Sequence, residues 1–121
     1  MTVAYWVVAS ILAVLYLYAG GIKVVQSKDQ LRPMMEWVDI MPLGLVRVIG
    51  VLEVLGALGL ILPPLTGVAP GVALAAAIGL VLLQVGATAL HLSRHDVDSL
   101  WLNGSLLTLA GIATWLSTIW L

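Results

Sequence analysis

Glu53 is the residue whose type and place most call for an explanation. It sits mid-way along a long apolar run, flanked by Val51, Leu52, Val54 and Leu55. A carboxylate at that depth in an apolar segment is costly unless it finds a partner, a proton or a ligand. Arg47 lies six residues earlier, about 9 Å along a helix and about 120° around it, so pairing within one helix is poor and each faces a neighbour. Gln84, Thr88 and His91 follow at i, i+4 and i+7, one polar stripe on another apolar run. Lys23 closes the first apolar segment and Asn103 opens the last.

Two kinds of chemistry suit these residue types. Arg47, Gln84 and His91 are donors that match the carbonyls of a quinone-like head. Glu53 and His91 could move protons between a buried site and the surface. The same groups could equally be hydrogen-bond glue between helices. His91 and His95 at i, i+4 are a weak metal or haem signal, and no metal site is expected. Cysteine is absent, which excludes thiolate nucleophiles, thiol-ligated metals and iron–sulfur clusters.

The elements that must position these groups are helices in a membrane. Of 121 residues, 62% are hydrophobic and 9% charged, with a mean hydropathy of +1.14. A soluble domain is about half apolar and a quarter charged. Spanning a ~30 Å hydrocarbon core takes roughly 20 apolar residues, and residues 3–22, 43–62, 71–92 and 100–121 provide four such runs. The first has no Lys or Arg before it and is too long for the apolar region of a signal peptide, so it reads as a retained helix. Pro63, Pro64, Gly67, Pro70 and Gly71 read as a tight uncharged link, and residues 93–99 as a short polar one. Short links imply antiparallel neighbours.

Residues 23–42 differ. Leu31, Met34, Met35, Val38 and Met41 recur at helical spacing, with Arg32, Glu36 and Asp39 opposite and Pro33 suited to a first turn. The pattern predicts a short amphipathic helix in the membrane interface. The expected fold is therefore all-α: one domain over residues 1–121, an antiparallel four-helix transmembrane bundle with that short helix between helices 1 and 2.

Charge sets the orientation. Lys23, Lys28, Arg32, Arg47 and Arg94 all fall on one side. The positive-inside rule places links 23–42 and 93–99 in the cytoplasm and both termini outside. Tyr5, Trp6, Trp115 and Trp120 would form the outer aromatic belt, with Trp37 and Trp101 the inner one. Lys23, Arg47, Glu53, Gln84, Thr88, His91 and Asn103 then share the cytoplasmic half, which predicts one polar pocket open to that side. Small residues on shared faces (Gly50, Glu53 and Ala57; Gly79 and Gly86; Gly104, Thr108 and Gly111) would let the helices approach. The net charge of −1 and the lack of basic runs argue against nucleic acid.

Taken together, Gly21-x-Lys23, Arg47-x-x-Gly50-x-x-Glu53, Gly56, Gly59, Leu62-Pro63-Pro64 and Gly86-Ala87 running to His91-Leu92-x-Arg94 resemble the DoxX-like family of small four-helix membrane proteins. The resemblance runs from about Gly20 to Gly111. It implies the same four-helix architecture and a bacterial inner membrane. It also implies an association with membrane redox complexes, the founding type being a subunit of a quinol oxidase or thiosulfate:quinone oxidoreductase. Arg47, Glu53 and His91 match the recurrent polar positions of that family. Nothing in the chain specifies a redox cofactor. The expected function is therefore an accessory or binding protein rather than an autonomous enzyme, holding a quinone- or lipid-like molecule or a partner helix. The alternatives are a subunit of a quinone-coupled oxidoreductase and, third, a transporter, for which no inverted repeat or broken helix pair is visible. The expected partners are the lipid bilayer and another membrane protein or a second copy in a homodimer.

Overall fold

The computed structural model describes residues 1–33, 35, 41–94 and 100–121. The elements are α1 (Thr2–Val25), α2 (Lys28–Leu31), α3 (Leu43–Thr66), α4 (Val72–Ser93) and α5 (Leu100–Leu116), followed by a 3-10 turn (Ser117–Trp120). No strand occurs among the described residues. α1 and α4 each pack against both α3 and α5, so the four long elements close into a ring. All four are long and apolar enough to cross a membrane, α5 being counted with its 3-10 turn.

The bundle is apolar on both sides. Val7, Val14, Leu55, Leu62, Leu82, Val85 and Trp115 face outward and exposed, as lipid-facing residues do. The interior is lined by Ala9, Ala13, Ala57, Ala73, Ala77, Ala110 and Ala113, filled between by Tyr5, Leu12, Tyr16, Leu60, Leu80 and Leu116. Alanine seams bring helix backbones close, which matters in lipid because the hydrophobic effect does not drive helices together there.

The glycine faces divide. A Cβ on Gly20 would lie 2.6 Å from the Gly50 carbonyl oxygen, and one on Gly50 2.7 Å from that of Gly20. α1 and α3 thus touch backbone to backbone. Gly56 and Gly59 meet Leu80 and Ala76 of α4. Gly79, Gly86, Gly104 and Gly111, expected to serve close packing, meet nothing within 4 Å. Gly104, Thr108 and Gly111 face outward on α5.

Two boundaries differ from the sequence expectation. Pro63 and Pro64 lie inside α3, which continues to Thr66. Proline at 64 removes the N–H that would serve the Leu60 carbonyl. The Tyr5 hydroxyl donates to that carbonyl instead, at 2.5 Å. The helix therefore survives its own breakers and stops at Gly67, whose φ of 74° is the left-handed cap that glycine adopts freely. The last span ends its α-helix at Leu116 and finishes as the 3-10 turn.

Between α1 and α3, the described part of the expected interfacial helix is the single turn α2. Ser27 and Gln30 form a reciprocal capping box at its start, and Leu31 is fully buried with Ile22 and Val46. Pro33 lies in the turn that follows α2. Met34, Glu36, Trp37, Val38 and Asp39 lie outside the described residues, as does His95.

Candidate functional site

Among the described residues, Lys, Arg, Asp and Glu occur only towards one end of the bundle, the end formed by the C-termini of α1 and α4 and the N-termini of α3 and α5. At this basic end the glycine crossing sets up an ion pair. Gly20-x-x-Lys23 on α1 and Gly50-x-x-Glu53 on α3 have the same spacing. Helical side chains lean toward their own N-terminus, so on antiparallel helices Lys23 and Glu53 lean toward each other. Lys23 Nζ donates to Glu53 Oε1 at 2.5 Å, and both residues are more than nine-tenths buried. Lys23 is thus part of the interior, not only a charge at a helix end.

A second chain of bonds crosses the bundle. The Tyr16 hydroxyl of α1 donates to Gln84 Oε1 of α4 at 2.9 Å. Gln84 Nε2 donates to Asn103 Oδ1 of α5 at 2.8 Å. Gln84 is 4% exposed and Asn103 6%. Tyr16 and Lys23 lie two turns apart on one face of α1, so this chain and the ion pair both start from that face and are treated together as one cluster. Every one of the four spanning helices contributes to it.

Tyr16 is the member that sequence reasoning missed. Its signal is its register: Tyr16 and Lys23 are seven residues apart, two turns along one face of α1. Tyr18, two residues on, is 60% exposed.

The other expected residues ring the cluster. Arg47 Nη1 donates to the carbonyls of Lys23, at 2.7 Å, and Gln26, at 2.5 Å. These are carbonyls at the end of α1 that the helix itself leaves without donors, and a cation there also complements the helix dipole. Arg47 thus fastens α1 to the start of α3. The Thr88 hydroxyl donates to the Gln84 carbonyl one turn back in its own helix, at 2.8 Å. His91 is half-buried in the last turn of α4. No group of three His, Cys, Asp or Glu able to hold a metal occurs among the described residues.

Two atoms of the cluster lack a hydrogen-bond partner among the described residues: Glu53 Oε2, an acceptor, and Asn103 Nδ2, a donor. Leaving such a group unpaired in an apolar interior costs about 1–3 kcal/mol, more when charged. With the chain running from Tyr16 O–H through Gln84 to Asn103 Oδ1, Asn103 Nδ2 is the end left over.

An apolar groove of about 560 Å³ lies between α3 and α4. Leu52, Leu55, Gly56, Gly59, Gly79 and Leu83 are among its lining residues. Leu52 and Leu83, which line it, are the immediate chain neighbours of Glu53 and Gln84.

No curated protein and no solved structure gives a significant match to this chain. One family does, the DoxX-like family, over residues 7–113. That stretch contains the whole cluster and nearly all of the four spanning helices, and the chain belongs to the DoxX-like family.

Proposed function

We propose that this membrane protein is a binding or accessory protein. Its buried cluster of Tyr16, Lys23, Glu53, Gln84 and Asn103 holds the polar head of a quinone- or lipid-like molecule, or a polar group of a partner helix. The observation that carries this reading is the pair of unpartnered atoms, Glu53 Oε2 and Asn103 Nδ2, both on residues more than nine-tenths buried. A polar network that served packing alone would gain by closing all its bonds. Arg47 positions the α1 end of the site, and Thr88 and His91 form its margin. The basic end faces the cytoplasm of a bacterial inner membrane, with both termini outside. A cysteine placed at Gly67 should then react with an impermeant maleimide from outside intact cells, and one at Ser93 should not; the reverse pattern overturns the orientation.

Native mass spectrometry of protein extracted in a mild detergent tests the binding reading. A retained small-molecule mass that is lost in Gln84→Ala is expected. A clean apo mass from wild type, with no co-purifying membrane protein, contradicts it.

A second reading uses the same groups. The buried ion pair and the hydrogen-bonded Tyr16 hydroxyl are a set of proton donors and acceptors, which suits a subunit of a quinone-coupled oxidoreductase. Quinol oxidation that appears only when a second subunit is present would favour it.

A further inference from the structure

We infer that the turn α2 is a strap that gates the buried ion pair from water at the basic end: Leu31 plugs the seam between α1 and α3, and Arg47 latches the strap in place. The gate goes beyond the binding reading, and its test reads water access rather than a ligand.

The layers of the seam follow the buried face of α3, where Val46, Gly50 and Glu53 recur at helical spacing. Glu53 bonds to Lys23 Nζ. One turn nearer the basic end, Gly50 lies against the stem of Lys23, since a Cβ on Gly50 would come 2.7 Å from Lys23 Cβ. One turn further out, Val46 is fully buried in a cluster with Ile22 of α1 and Leu31, and Leu90 of α4 packs against that cluster. The apolar layer outside the ion pair therefore includes a side chain that belongs to no spanning helix.

Leu31 is fully buried although its neighbours Gln30 and Arg32 are exposed. It is a single apolar side chain inserted from a polar stretch. α2 is one turn long, and a helix that short does not hold itself. It is held by the burial of Leu31, by the Ser27–Gln30 capping box, and by Arg47. Arg47 Nη1 bonds at once to the Lys23 carbonyl of α1 and to the Gln26 carbonyl between α1 and α2. The joint on which the strap would swing is thus tied to α3. The close approach of α1 and α3 at Gly20 and Gly50 is made by those two helices alone, so the strap can lift while the bundle stays closed.

The chain has no cysteine, so one introduced thiol reports water access at a chosen depth. Val46→Cys places it under the plug. Lys23→Cys, made together with Glu53→Met so that no buried charge is left alone, places it at the level of the ion pair. Each reporter is read in the full-length protein in detergent as its rate of reaction with an anionic, water-soluble methanethiosulfonate, with folding followed by the melting transition. Both thiols should react slowly when Leu31 and Arg47 are present. Leu31→Ala should speed both at least about tenfold, because burial of the leucine is what opposes local opening. Arg47→Gln should speed both several-fold. Leu60→Ala, equally buried but at the proline-rich end, should change neither rate.

Fast reaction of both thiols with the strap intact overturns the seal. Acceleration at residue 46 but not at residue 23 makes Leu31 local packing and overturns the gate, as does equal acceleration by Leu60→Ala. Acceleration by Leu31→Ala alone overturns Arg47 as the latch. If Leu31→Ala does not fold, the two rates in Arg47→Gln decide. Failure of the gate leaves the binding reading standing, since no ligand enters the measurement.

Discussion

The two ends of the bundle bury polar groups in different ways. At the proline-rich end, hydroxyls mend or cap backbone. Tyr5 serves the Leu60 carbonyl that Pro64 leaves without a donor, Thr66 caps the Leu62 carbonyl, and Ser117 returns to Ala113. Trp120 and Ser117 flank the Tyr5 hydroxyl, and the rings of Tyr5, Trp6 and Trp120 meet edge to face. At the basic end, side chains bond to side chains across all four helices; Glu53 Oε2 and Asn103 Nδ2 stay unmatched there, as Trp120 Nε1 does at the other end. Mending backbone serves the fold alone. A cross-bundle network with leftover valence fits a task beyond it.

The largest effect should come from splitting the ion pair. Lys23→Ala or Glu53→Ala leaves one buried charge alone and should cost about 3–5 kcal/mol. The double replacement Lys23→Met with Glu53→Met should recover most of it, because a well-packed apolar pair often matches a buried ion pair. Thermal unfolding in detergent measures both; a double variant as unstable as the singles would mean the pair is not the unit described here.

Next is the crossing that brings the pair together. Gly50→Ala forces a methyl against the Gly20 carbonyl and the Lys23 side chain and should cost about 1–3 kcal/mol. Gly104→Ala, on an open outward face, should cost nearly nothing. Equal losses would show that the structural difference between these glycines has no energetic meaning.

The smaller effect belongs to the other end. Tyr5→Phe removes the donor to the Leu60 carbonyl and should cost about 1–2 kcal/mol. Pro64→Ala restores an N–H four residues on from Leu60, so it should rescue Tyr5→Phe. A double-mutant cycle in thermal stability checks this; strict additivity would break the account of how α3 tolerates its prolines.

How much of this was legible in the sequence follows physical lines. The four spans are visible because length and apolarity are local properties. The end of α3 is not, because Pro63 and Pro64 are breakers only until a donor arrives from Tyr5, remote in sequence. Lys23, Glu53, Gln84 and Asn103 stand out as charged or amide groups in apolar runs. Their joining, and Tyr16's part in it, depend on which face each helix buries. A tyrosine in a span attracts no notice, and only burial separates Tyr16 from the exposed Tyr18. The bonds of Arg47 were hidden for another reason: its acceptors are backbone carbonyls of a different helix, which side-chain spacing cannot reveal. The glycine faces look alike as sequence patterns, yet Gly50 touches a neighbour and Gly104 does not.

The contrast between the ends comes down to one measurement: the amount of small molecule that co-purifies per chain for Gln84→Ala and for Tyr5→Phe, each prepared at matched folded fraction. Wild type and Tyr5→Phe should retain the same content, and Gln84→Ala should lose most of it. If Gln84→Ala retains as much as wild type, the basic-end cluster is packing and the claim that it binds a ligand head is wrong.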